Sequence, residues 1–241
     1  MQAGPRIEAV VFDLFYTLVH PGTYPGGTNR VGWLAGIAGV DVAALKAQWT
    51  AFEPVLEAGR APMHRTPELE WFQAAAANLG ATVTSSDLAR VEADWDLTRR
   101  EALLKPPPST IAALLALRRN GLRLGVLSNT HALEVRVWDR SPLASLVDVV
   151  AFSHEIGFCK PAPETYAYVL DRLSVPAAAA AYVGDGGSDE LTGARAAGFR
   201  RVILAEETAV TSAPDDLPRL RGQADDSVAS LTDVLELVSS E

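Results

Sequence analysis

Short apolar runs alternate with longer amphipathic ones along most of this chain. Residues 9–12, 122–127, 147–152, 181–183 and 201–204 are apolar and largely β-branched, without the polar alternation of a half-exposed sheet. Runs this short and this apolar suit strands buried on both faces. Between them lie helical patterns. Ser109 is placed to cap a helix over 110–120 that stops at Gly121, residues 164–173 form a second ahead of Pro176, and Ser188 is placed to cap a third over 189–197 that closes at Gly198. A polar stretch over 219–226 reads as a loop, and residues 230–238 as a final helix. The alternation predicts an α/β fold, a doubly wound parallel sheet with crossover helices.

One interval breaks the alternation. Residues 21–104 contain no convincing strand. They carry instead helical patterns rich in Ala, Leu and Trp over 42–56, 67–79 and 87–103. Turn residues punctuate both ends, at Pro21-Gly22 and Pro25-Gly26-Gly27 and again at Pro106-Pro107-Pro108. The pattern predicts a helical insert after the first strand, so that residues 1–20 and 105–241 form the core and residues 21–104 a separate helical unit. Trp33, Trp49, Trp71 and Trp95 fall inside that unit and suit its core or its seam with the sheet.

Composition narrows the function classes. A formal charge of -9 over 241 residues makes the chain a poor match for nucleic acid or an anionic membrane. A hydrophobic content of 48% is enough for a packed core. The single cysteine, Cys159, excludes an internal disulfide and suits a reducing cytosol. No run approaches the ~20 apolar residues of a membrane span, and no basic segment followed by an apolar stretch marks a signal peptide. A cytoplasmic protein acting on a small molecule is the expectation.

The candidate chemistry lies at the strand ends, where open α/β sheets bind ligands. Asp13 follows the first run directly. Ser128-Asn129 follows the second, and Gly184-Asp185 closes the fourth, with Asp189 four residues on. Each has a plainer reading by itself: a turn acid, a Ser or Asx turn, a helix-dipole partner. Together they place four polar groups at the ends of three strands, which packing does not require. Asp13 is a candidate nucleophile, and Ser128 a donor to an anionic oxygen that Asn129 can orient. Asp13, Asp185 and Asp189 form an oxygen-rich set suited to a hard divalent ion such as Mg²⁺. Lys160, held in Lys160-Pro161-Ala162-Pro163, could neutralise charge at the same place.

In this order the motifs resemble the haloacid dehalogenase superfamily of aspartate-nucleophile hydrolases. The matching segments are Val10-Val11-Phe12-Asp13 to Thr17-Leu18, Leu127-Ser128-Asn129, Lys160-Pro161 and Gly184-Asp185 to Asp189, with Gly193 to Gly198 resembling the family's following helix. The resemblance implies a Rossmann-like core and a helical cap over residues 21–104. It also implies a catalytic set of Asp13, Thr17, Ser128, Asn129 and Lys160, and Mg²⁺ held by Asp13, Asp185, Asp189 and the backbone carbonyl of Phe15. Phe15 departs from the family's phosphatases, which carry an aspartate there as general acid and base. A Mg²⁺-dependent phosphatase of a small phosphate ester is therefore expected, with the missing proton donor sought among Tyr16, His20, His64 and His131. Two other readings stand beside it: a metal-free 2-haloacid dehalogenase, which needs no acid at that position, and a binding protein that retains the fold without turnover. The motifs specify neither the substrate nor an oligomeric state.

Overall fold

The computed structural model describes residues 6–58 and 67–239. Six strands form one parallel sheet: β1 Ala9–Phe12, β2 Arg123–Ser128, β3 Val149–Phe152, β4 Ala180–Gly184, β5 Arg201–Ala205 and β6 Asp226–Val228. Their order is β3-β2-β1-β4-β5-β6. β1 lies between β2 and β4, with Phe12 opposite Val126 on one side and Val183 on the other. The order reverses at β1, so Asp13 emerges at the switch point of the sheet.

The helices run in chain order: α1 Arg30–Ala38, α2 Val42–Glu57, α3 Pro67–Asn78, α4 Ser85–Asp94, α5 Leu97–Leu104, α6 Pro108–Arg119, α7 Ala132–Val135, α8 Ser153–Ile156, α9 Pro163–Leu173, α10 Glu190–Ala196, α11 Glu207–Ser212, α12 Leu217–Gln223 and α13 Val234–Ser239. Val10 and Phe12 of β1 point into an apolar cluster with Leu114 of α6 and Val234 of α13. Ala9 and Val11 point into a second cluster with Tyr166 and Val169 of α9 and Leu191 of α10. Burial on both faces is why these strands read as continuous apolar runs. A third cluster lies among α1 to α4 and includes Leu34, Trp49, Phe72 and Trp95. Among the described residues, no helix is long and apolar enough to cross a membrane.

The local expectations need correction at several places. Ser109 sits inside α6, which begins at Pro108 after Pro107 with no side-chain cap; the fixed proline backbone starts the helix instead. The pattern over 87–103 is two helices, α4 and α5, and α4 begins with a capping box between Thr84 and Asp87. The glycines of α1 hid it, and the stretch 219–226 carries most of α12 and the start of β6 rather than a loop. Ser188 caps nothing: it has φ 51, and α10 starts two residues later.

A buried charge cluster joins α1, α3 and α5 to α7, just beyond β2. Glu134 accepts from Arg30 Nη2 at 2.7 Å and pairs with Arg99 Nε at 2.5 Å. The ring nitrogens of His131 face Glu68 at 3.1 Å and Arg30 at 3.2 Å. The Arg30 guanidinium also lies 5.3 Å from the Trp95 ring centroid and 5.7 Å from that of Trp49. Arg136 adds a two-pronged pair with Asp96, at 2.9 and 2.7 Å. Burial alone would raise the Glu134 carboxyl, but Arg99, His131 and Arg30 together hold it well below the usual carboxylate range.

A carboxylate depressed in the folded state stabilises the fold above its unfolded value, about 4.3, and loses that contribution as pH falls toward the folded value. Glu134→Gln leaves the buried Arg30 and the part-buried Arg99 short of their counter-charge, so it is expected to cost about 3–5 kcal/mol at neutral pH. The deficit against wild type should shrink below about pH 4. Denaturant titrations at neutral and acid pH check both statements.

Candidate active site

Asp13 leaves β1 with its backbone N–H donating to Val183 O at 2.9 Å, which fixes it against β4. Its carboxylate receives Lys160 Nζ at 2.5 Å. The same ammonium donates to Glu190 Oε2 at 2.5 Å, and Tyr182 Oη donates to that oxygen at 2.7 Å. Glu190 Oε1 accepts from the backbone N–H of Gly186 at 3.0 Å. The Lys160 side chain is 3% exposed and that of Glu190 is 0% exposed, so neither charge is tolerable without its partners.

The elements make room for this arrangement. Asn129, one residue past β2, grips the Lys160 backbone with both ends of its amide: Oδ1 accepts from Lys160 N at 2.8 Å and Nδ2 donates to Lys160 O at 3.1 Å. Gly184 ends β4 where a Cβ would overlap the Glu190 carboxylate. Gly193 faces Tyr166, whose hydroxyl donates to Glu190 O at 2.9 Å; a Cβ at Gly193 would overlap that hydroxyl and approach Pro161 to 2.9 Å.

Burial outweighs Lys160 in setting the Asp13 carboxyl, which is pushed up to about 6. Burial, and then the charge of Asp13, raise Asp185. Burial would lower Lys160, but Asp13 and Glu190 hold its ammonium well above the ordinary lysine range. Ligand oxygens of Asp13, Asp185 and Glu190 lie within 4.8 Å of one another. Three carboxylates so close, with one ammonium among them, are a donor set that a hard divalent cation would complete.

These groups open on a cavity of about 330 Å³. It is lined by Asp13, Ser128, Asn129, Lys160, Asp185 and Glu190 at the strand ends, and by Glu53 and Glu57 of α2, Arg99 of α5 and Glu134 of α7. Phe15 and Tyr16 close one side. The turn after Asp13 gives Tyr16 a φ of 70°, with its N–H donating to Val19 O at 2.6 Å. Phe15 is buried, and the Arg99 guanidinium stands 5.0 Å from its ring centroid.

The structure thus brings together Asp13, Phe15, Ser128, Asn129, Lys160 and Asp185. Thr17 is buried beside them but does not line the cavity, and its hydroxyl has no hydrogen-bond partner. Asp189 is exposed and outside the carboxylate group, whose third member is Glu190. The reason is local: Ser188 and Asp189 both take left-handed conformations, with φ 51 and 50, so the turn is one residue longer than a Gly-Asp-x-x-x-Asp count allows. A signal for Glu190 existed: it occupies the apolar face of α10 with Leu191 and Ala194. Of the proton-donor candidates, Tyr16 reaches the cavity. His20 turns away to Thr208 and Glu207, His131 is buried in the charge cluster, and His64 lies outside the described residues. Glu57, which the motifs did not mark, lines the cavity; burial, Glu134 and Glu53 push its carboxyl up to about 7.

Residues 7–198 match the profile of the haloacid dehalogenase-like hydrolases. The chain is 29% identical to a ribulose-1,5-bisphosphate 5-phosphatase of Halopiger xanaduensis, over 96% of its own length and 99% of the relative's. It is 34% identical to a phosphoserine phosphatase of Thermus thermophilus, over 66% of this chain and 63% of that one. Among solved structures, the 2-haloacid dehalogenase of Pseudomonas syringae pv. Tomato DC3000 superposes with a TM-score of 0.66 at 22% identity, covering 97% of this chain and 99% of that one; that likeness shows a shared fold.

The packing around Glu190 is testable. Gly193→Ala drives a methyl group into Tyr166 and is expected to cost about 1–3 kcal/mol of stability. Adding Tyr166→Phe removes the overlapping hydroxyl and should recover part of the loss. Urea denaturation of the single and double variants measures both.

Proposed function

Because the chain belongs to the haloacid dehalogenase-like hydrolase family, we propose that it is a Mg²⁺-dependent phosphatase of a small phosphorylated metabolite, with Asp13 as nucleophile. The observation that carries the reading is the convergence of the Asp13, Asp185 and Glu190 carboxylates at the switch point of the sheet, with Lys160 bridging Asp13 and Glu190. The near-full-length likeness to a sugar bisphosphate phosphatase supports it. A cytosolic setting accords with the lone cysteine.

Each residue then has a task. The Asp13 carboxylate attacks phosphorus and forms an aspartyl phosphate, which water hydrolyses in a second step. Ser128 donates its hydroxyl to a phosphoryl oxygen, and Lys160 offsets the charge that builds on the transferring group. Asn129 keeps Lys160 in place through its backbone. Asp13, the Phe15 carbonyl and Asp185 would hold the Mg²⁺, with Glu190 rather than Asp189 as the nearby second acid. When bound, the cation neutralises phosphoryl oxygens and orients them. Residues 21–104 form the cap, which supplies Glu53, Glu57 and Arg99 to the cavity that Asp13 lines.

p-Nitrophenyl phosphate and 2-chloropropionate, assayed with and without EDTA, decide between phosphatase and dehalogenase. Phosphate release should be abolished by EDTA and should fall at least ~10³-fold in Asp13→Asn, which removes the nucleophile. Calorimetric titration with Mg²⁺ should show binding that Asp185→Asn weakens at least ~10-fold. Halide release insensitive to EDTA would overturn the reading. Tight Mg²⁺ binding without hydrolysis of any phosphate ester would favour a binding protein.

A further inference from the structure

Phe15 leaves the phosphatase chemistry without a proton donor beside the nucleophile. We infer that the Glu57 carboxyl, on the α2 wall of the same cavity, is the general acid and base that Phe15 cannot be. The inference rests on the phosphatase reading and deepens it.

Elimination and position both lead to Glu57. Asp13 is committed as nucleophile, and the Lys160 ammonium is held between two carboxylates. Glu190 is fully buried, with both oxygens occupied by Lys160, Tyr182 and Gly186. Glu134 is spanned by Arg30 and Arg99 and held far below the range in which a carboxyl carries a proton. Tyr16 is 38% exposed, at the edge of the cavity. His131 belongs to the seam and does not line the cavity. Asp185 is assigned to the cation, so among the described residues that line the cavity Glu53 and Glu57 remain, one turn apart on α2.

Charge separates the two by surroundings. The groups acting on Glu57 are Glu53 of its own helix, Glu134 of α7, Arg99 of α5 and Lys160. Burial comes first and the two glutamates second, and both favour the protonated form; Lys160 and Arg99 oppose them. The balance near 7 lets the carboxyl give a proton and take one back at neutral pH, which is what an efficient acid–base group requires. Neither cation pairs directly with Glu57: Arg99 is paired with Glu134 and stands over the Phe15 ring, and Lys160 lies between Asp13 and Glu190.

The steps balance. Asp13 attacks phosphorus, the bond from phosphorus to the alcohol oxygen breaks, and that oxygen keeps the electron pair and takes the Glu57 proton. The alcohol departs and Glu57 is left as carboxylate. Water then attacks phosphorus and gives its proton to Glu57, the bond from phosphorus to Asp13 breaks, and phosphate leaves with Asp13 restored as carboxylate.

Two aryl esters isolate the first step. In single-turnover experiments on the Mg²⁺-loaded full chain, Glu57→Gln is expected to slow phenol release from phenyl phosphate about 10²-fold or more. Release of p-nitrophenolate from p-nitrophenyl phosphate, which departs without a proton, should change by less than about threefold. Steady-state turnover of the second ester should nevertheless fall, giving a burst of about one equivalent, because water has lost its base. In wild type, phenol release should decline as pH rises through about 7; in Glu57→Gln that limb should vanish. Glu53→Gln keeps the acid and removes a like charge, so the limb should move to lower pH, and this variant decides the matter should Glu57→Gln misfold. Equal losses on both esters, or an unchanged limb in both variants, would overturn the assignment while leaving the phosphatase intact. A wild-type chain that cleaves neither ester would overturn both.

Discussion

The Lys160 ammonium, held between Asp13 and Glu190, is the constraint around which the rest of the molecule is arranged. A cation buried this deeply costs several kcal/mol unless carboxylates surround it, and carboxylates gathered this closely repel one another unless a cation sits among them. Neither half is stable alone. The supporting features follow from that mutual need. Asn129 clamps the lysine backbone, Gly184 clears the path of the Glu190 side chain, Gly193 admits the Tyr166 hydroxyl that fixes the start of α10, and Tyr182 fills the remaining valence of the glutamate. All are placed by strands that meet at β1, and the pocket opens where the strand order reverses.

The charge cluster around Glu134 is the complement of this one. At Lys160 one cation serves two anions; at Glu134 one anion serves two cations. Both clusters border the same cavity, so its walls are rigid in charge as well as in shape. Arg99 contributes twice, pairing with Glu134 while its guanidinium covers the ring of Phe15. The Phe15 ring, two residues after Asp13, is therefore a packing partner for α5.

The sequence discloses the sheet because strands buried on both faces leave unbroken apolar runs, and the residues that end those runs are the polar ones the ligand meets. Asp13, Ser128 and Asp185 are legible for that reason, and Lys160 by the prolines that follow it. Glu190 is obscured by backbone conformation: two left-handed residues lengthen the turn, and counting along the motif stops one residue short at Asp189. β6 is missed because a three-residue edge strand with only Val228 buried leaves almost no pattern. Glu57 and Arg99 are illegible on other grounds. On their own helices they look like solvated charges, and only the docking of α2 and α5 over the strand ends turns them inward.

The site also sets a schedule for the chain as it is made. Asp13 and Lys160 are separated by 147 positions, and Lys160 and Glu190 by a further 30. Contacts so distant in sequence pay their loop-closure entropy late. β1 emerges early yet acquires its second neighbour only once β4 has been synthesised. Lys160 precedes β4 in the chain, but the acids of the Gly184–Glu190 turn follow it, so until then Asp13 lacks them. The charge cluster around Lys160 therefore exists only once Glu190 has been made.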